Sequence, residues 1–88
     1  MNTYMISFDL HAPTINRNKV EDSIKSLGNW CKYLTTTFLV SSSKSINEVQ
    51  NIVTKNLDSN DKMIVCKVQK PIVGYLQQSE WDWIHKYI

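Results

Sequence analysis

The most constraining feature of this chain is the stretch Tyr4-Met5-Ile6-Ser7-Phe8-Asp9-Leu10. Read with a period of two, Tyr4, Ile6, Phe8 and Leu10 point one way, and Met5, Ser7 and Asp9 point the other. A strand that is apolar on one side needs a helical layer over that side. Asp9 falls on the opposite face, near the end of what should be a central strand. Aspartate is disfavoured in strands because its short side chain competes for nearby backbone groups. Asp9 therefore either opens the following loop or is held there for chemistry.

The rest of the chain supplies the cover. After Leu10, His11-Ala12-Pro13-Thr14 reads as a loop, since the residue before a proline is biased away from helix. A helix follows, with Asn16 or Asn18 as cap and Glu21 at capping-box spacing from Asn18. Val20, Ile24 and Leu27 form its buried stripe, and Gly28 its C-terminal stop. Aromatic and β-branched residues between positions 30 and 40 predict two strands, near 30–33 and 36–41. Ser45 and Glu48 make a capping box that opens a second helix, with Ile46, Val49, Ile52, Val53 and Leu57 inward. Asp58-Ser59-Asn60-Asp61 ends that helix. A strand over 63–68 follows, with Ile64, Cys66 and Val68 on one face. Residues 72–76 suggest a short extra strand, and Ser79 a cap for a last helix that reaches Ile88.

Eighty-eight residues suffice for one domain, and a chain this short buries only about 60–65% of its unfolded surface. The expected plan is β-α-β-β-α-β, a ferredoxin-like α+β sandwich over roughly residues 3–68 with a C-terminal extension over 69–88. Right-handed crossovers place both helices on one face of an antiparallel sheet, with the first and third strands central. The other face, with Met5, Leu39 and Val65, is then open and invites a second copy, so a homodimer through that face is expected. The net charge of +2 does not by itself argue for nucleic acid. No stretch approaches a membrane span or a signal sequence, so a cytoplasmic protein is expected. Cys31 and Cys66 lack metal-type spacing and fall on opposite edge strands, which predicts two reduced, packing cysteines.

Several of these features occur together in a known group. Phe8-Asp9-Leu10, a short loop, the basic helix start Asn16-Arg17-Asn18-Lys19-Val20, a helix ending in Leu27-Gly28, and Thr36-Thr37-Phe38 follow in that order. The chain resembles the small ferredoxin-fold protein of CRISPR adaptation that partners the spacer integrase. It is also similar to that protein's relatives, the virulence-associated protein D toxins and the solitary proteins labelled SinR-like. The resemblance implies metal-dependent phosphodiester cleavage. Asp9 from each of two facing subunits would hold Mg²⁺, with RNA a better substrate than DNA. The chemistry suits the ion, which takes one or two carboxylates plus waters and phosphate oxygens. The chain departs from the pattern at Thr36, usually serine, at Leu39, often acidic, and in the His11-Ala12-Pro13 loop, often acidic.

The resemblance makes Asp9 the candidate metal ligand, the alternative being a residue that opens the loop, and His11, two residues on, would ligate metal or move protons if the strand continued. Arg17, Lys19 and Lys25 are candidates for phosphate contacts, helped by the positive end of the first helix. Their alternative is a solvated helix face interleaved with Glu21 and Asp22. The tail carries Tyr75, Trp81, Trp83 and Tyr87, four of nine aromatics, and its apolar face should dock on the sheet or across a dimer rather than stack on bases. No phosphate-cradling glycine loop, nucleophile elbow or zinc spacing is present. Three functions remain in view. The first is a Mg²⁺-dependent nuclease-like dimer, an endoribonuclease. The second is a non-catalytic dimer that binds nucleic acid or a protein partner as scaffold or toxin–antitoxin component. The third is a small-ligand or signalling-nucleotide binder.

Overall fold

The alternation in the first strand is realised in the computed structural model, which describes residues 1–88. The elements are β1 (Asn2–Asp9), α1 (Pro13–Lys25), β2 (Asn29–Leu34), β3 (Thr37–Ser42), α2 (Ile46–Thr54), β4 (Lys62–Lys67) and α3 (Gln78–Tyr87). The strands form one antiparallel sheet in the order β2-β3-β1-β4, so β1 and β3 are central.

Register sorts the side chains into two faces, because directly opposed residues share a face. Tyr4 lies opposite Val40, Ile6 opposite Phe38 and Val65, and Phe8 opposite Met63. This face packs on Val20, Ile24 and Leu27 of the first helical segment and on Val49 and Val53 of α2. Ile6, Phe38, Val40, Val20 and Val53 are fully buried there, each contributing roughly 1.5–3 kcal/mol of transfer free energy. The helical stripe at Val20, Ile24 and Leu27 and the inward Val49 and Val53 are as the periodicity predicts. Val65 is not on the open face, as expected from the sequence, but packs against the core. The register instead places Ile64 and Cys66 on the second face, opposite Ser7 and Met5.

That second face is not wholly open. Thr3 donates its hydroxyl to the Tyr87 carbonyl at 2.8 Å, and α3 packs against β2. Ile84 of α3 is 2% exposed and Leu39 of the facing sheet surface 6%. The tail therefore docks on its own sheet, one of the two outcomes its aromatic content suggested; elsewhere on this face Asp9 and Ile64 are exposed, while Met5, Ser7 and Cys66 are half-buried. The sheet is sandwiched, with α1 and α2 on one side and α3 on part of the other.

The local starts and stops are mixed. Ser45 and Glu48 form the expected capping box, Oγ accepting from Glu48 N–H at 3.2 Å and Oε1 from Ser45 N–H at 3.0 Å. Helix α1 starts earlier than predicted, with Pro13 in its first turn and no side-chain cap at Ala12; proline suits that turn because its missing N–H has no helical partner there. Asn16 and Asn18 are thus inside the helix. Gly28 does not stop the helix through a left-handed conformation, since no residue has positive φ. Its requirement is proximity: a Cβ at position 28 would collide with the Ser41 carbonyl oxygen. Residues 72–76 form no strand, and α3 begins at Gln78 rather than after a Ser79 cap, with Glu80 Oε1 accepting from Gln77 N–H at 2.9 Å.

Candidate functional site

Asp9 is the last residue of β1, exposed, and its cross-strand neighbour is Lys62. It is also the only acidic residue any of the four strands contributes. With Ser7, Lys62 and Ile64 it lines a shallow surface depression of about 230 Å³. Ser7 Oγ and Thr37 Oγ1 lie 3.1 Å apart on the same face. Asp9 thus sits at the exposed end of this face, on a central strand paired on both sides.

His11 lies two residues beyond, in the loop, with its side chain exposed. Its backbone is fixed: the His11 N–H donates to Asp61 Oδ1 at 2.7 Å. Asp61 also accepts, through Oδ2, from Asn16 Nδ2 at 2.8 Å and from Asp58 N–H at 3.0 Å. The amides of Asp58 and His11 hold the Asp61 carboxyl below the usual carboxylate range, outweighing a small opposing desolvation, with Asn16 and the His11 side chain adding to the effect. One carboxylate therefore ties the β1–α1 loop, the first turns of α1 and the loop before β4 into a single rim beside Asp9.

The basic candidates divide. Arg17 Nε pairs with Glu21 Oε2 at 3.0 Å, and its guanidinium donates to the Thr35 carbonyl at 2.8 Å. Lys25 Nζ lies 4.7 Å from the Trp30 ring centroid, a cation–π contact. Lys19 is exposed. Lys32 joins Glu21 at 3.0 Å; burial raises the Glu21 pKa, but the bonds from Lys32 and Arg17 outweigh it and the net shift is downward. Arg17 and Lys25 thus serve the fold, and Lys19 remains the basic side chain of α1 that points freely to water.

A metal ion would find one carboxylate per copy. No group of three or more His, Cys, Asp or Glu side chains gathers into a metal-binding arrangement. Asp9 alone offers Mg²⁺ one carboxylate, to be completed by waters and phosphate oxygens, and a second Asp9 from outside the chain would make two. Cys31 and Cys66 lie on β2 and β4, the two edges of the sheet. Three strand spacings of about 4.8 Å separate them, far beyond the reach of a disulfide. Burial pushes the Cys31 thiol up, which disfavours its thiolate.

Sequence reasoning missed Asp61, Glu21 and the pairing of Trp81 with His85. The Asp- and Asn-rich run before β4 and the four-residue spacings Arg17–Glu21 and Trp81–His85 were the available signals.

No protein-family model and no curated protein matches the chain. Among solved structures it is similar to the crystal structure of a hypothetical protein, TT1823, from Thermus thermophilus, with 18% sequence identity and a TM-score of 0.66. The match covers 86% of this chain and 94% of that one. At this identity the likeness establishes the fold alone.

Proposed function

We propose that the chain is a ferredoxin-like homodimer of the CRISPR-adaptation and virulence-associated protein D superfamily, and that it acts as a Mg²⁺-dependent nuclease on RNA in preference to DNA. The observation that carries this reading is the placement of Asp9. It is the sheet's only carboxylate, at the exposed end of a central strand, on the same face as the exposed Ile64. Two central strands, β1 and β3, flanked by β2 and β4, support the ferredoxin-like topology.

A dimer through the strip of Met5, Ser7, Ile64 and Cys66 would set the two Asp9 carboxylates against one another. That pair would hold Mg²⁺, which when bound supplies Lewis-acid stabilisation of a phosphoryl oxygen and an activated water. The roles of the chain's own groups follow from their positions. Asp9 anchors the site on a strand whose backbone is bonded on both sides. His11, its backbone clamped by Asp61, presents an exposed ring able to accept or pass a proton. Lys19 offers a phosphate contact from the first helix. The preference for RNA rests on the superfamily likeness.

A second reading is favoured by Lys62, which stands opposite Asp9 and supplies a positive charge where a metal would need another negative one. On that reading the protein is a non-catalytic dimer that binds nucleic acid or a protein partner, as a scaffold or toxin–antitoxin component. Cleavage of labelled single- and double-stranded RNA and DNA, with Mg²⁺ and with EDTA, separates the two. Wild type and Asp9→Ala should first be matched for folding and oligomeric state. Metal-dependent cleavage lost in Asp9→Ala is the expected result. Cleavage that survives the substitution overturns the assignment, and no cleavage by either protein selects the second reading.

A further inference from the structure

One feature of the tail is not used by its docking. Ile84 anchors α3 on the sheet, whereas Trp81 is half-buried and His85, one turn later, is exposed. Their rings stack with centroids 6.3 Å apart and planes inclined by 29°. They form one wall of a cleft of about 350 Å³ whose other side is Lys70, Pro71 and Ile72. That volume lies at the lower end of the ~300–1,000 Å³ found for small-molecule sites. Lys70 also lines the adjoining depression, about 300 Å³, together with Lys67 and Tyr87.

Lys70 in the cleft, and Lys67 with Lys70 in the adjoining depression, are the lysines that line the two. The chain's ion pairs are Arg17–Glu21 and Lys32–Glu21, so Lys67 and Lys70 take part in none. No carboxylate side chain lines either depression. The nearest acids on α3 are engaged elsewhere: Glu80 accepts from the Gln77 amide and Asp82 from Gln78 Nε2. A flat aromatic wall, an apolar floor of Pro71 and Ile72, and ammonium groups at the rim match a planar aromatic group joined to an anion.

We propose that the cleft between α3 and residues 70–72 binds a nucleobase by stacking on Trp81, with the attached phosphate at Lys70. The ligand chemistry is shared by a free nucleotide and by one unit of a single-stranded nucleic acid. The site is separate from Asp9 and does not depend on the cleavage proposed there.

The test is binding in EDTA, so that its failure is distinguishable from a failure of the metal site. Calorimetry with adenosine and uridine monophosphates, adenosine, and ribose 5-phosphate would be paired with anisotropy of a short labelled oligouridine. Nucleotides should bind more tightly than either fragment. Trp81→Leu should weaken binding roughly 5- to 150-fold, the range for loss of one stacked base, while Trp81→Phe, which keeps a ring, should restore most of it. Lys70 is exposed, so Lys70→Gln should leave the fold intact and reduce the salt dependence of oligouridine binding by about one counterion. Binding of both ligand kinds assigns a nucleotide site, and binding of the oligonucleotide alone assigns a strand path; both support the proposal. No binding by wild type, or binding unchanged in Trp81→Leu and Lys70→Gln, overturns it.

Discussion

A single carboxylate, Asp61, holds the rim beside Asp9, and its physics is simple enough to predict. Donors from Asp58, His11 and Asn16 converge on it and favour its charged form. Its pKa is therefore lower in the folded chain than in the unfolded one. The resulting stability is fully present above the ordinary aspartate value, near 4, and is lost as pH falls through the lower folded value. Asp61→Ala should accordingly be less stable than wild type at neutral pH, with the difference narrowing as pH drops below about 4. Urea unfolding of both proteins across that interval checks it; a difference that stays constant with pH would contradict the account. The sequence read Asp61 only as part of the Asp58–Asp61 run that ends a helix, and its partner His11 is fifty residues away. Gly28 is similar: the sequence suggested a helix stop, but the constraint comes from the Ser41 carbonyl of another strand.

At the scale of elements, legibility followed how local the determining contact is. The start of α2 was readable because Ser45 and Glu48 satisfy one another within four residues. The start of α1 was not, because Asn16, the apparent cap, sends its amide to the Asn56 carbonyl and Asp61. The buried stripe of α1 was readable from period alone; in α2 the period found Val49 and Val53 but also placed Ile46 inward, which is exposed at the helix start. For α3 the stripe was visible, but not which of its apolar residues bears the docking. The structure assigns that to Ile84, at 2% exposure, with Thr3 tying the helix end to β1. Ile84→Ala should cost about 2–4 kcal/mol, the usual range for a truncated buried aliphatic. Urea denaturation measures this directly. A loss below about 1 kcal/mol would mean that α3 rests on the sheet without being part of its core.

For the whole molecule, the exposed part of the second face, around Asp9 and Ile64, is where a second copy would meet the chain. The two-faced first strand made the layered plan legible, and the central position of β1 and β3 followed from it. The composition of the exposed face was less legible, because a one-residue change in the register of β4 exchanges its faces. Val65 went to the core and Ile64 to the surface, where it is 63% exposed. Ile64 is thus an isoleucine on the outer face, opposite Ser7 and two residues from Asp9's neighbour Lys62. Met5, Ile64 and Cys66 alone make a small patch against the ~800 Å² per partner of a standard interface, so a dimer built on them should be modest in affinity and dissociate on dilution. Because Ile64 is exposed in the single chain, Ile64→Glu should leave the fold unchanged. In a dimer it would bury a charge from each copy beside the two-fold axis, which is costly without a partner. Wild type should therefore sediment as a concentration-dependent dimer and Ile64→Glu as a monomer with an unaltered circular dichroism spectrum. If the proposal of a paired Asp9 site is correct, Ile64→Glu should also lose metal-dependent cleavage while Asp9 itself is intact. A wild-type chain that stays monomeric at high concentration would remove the second carboxylate, and with it the paired Asp9 site proposed above.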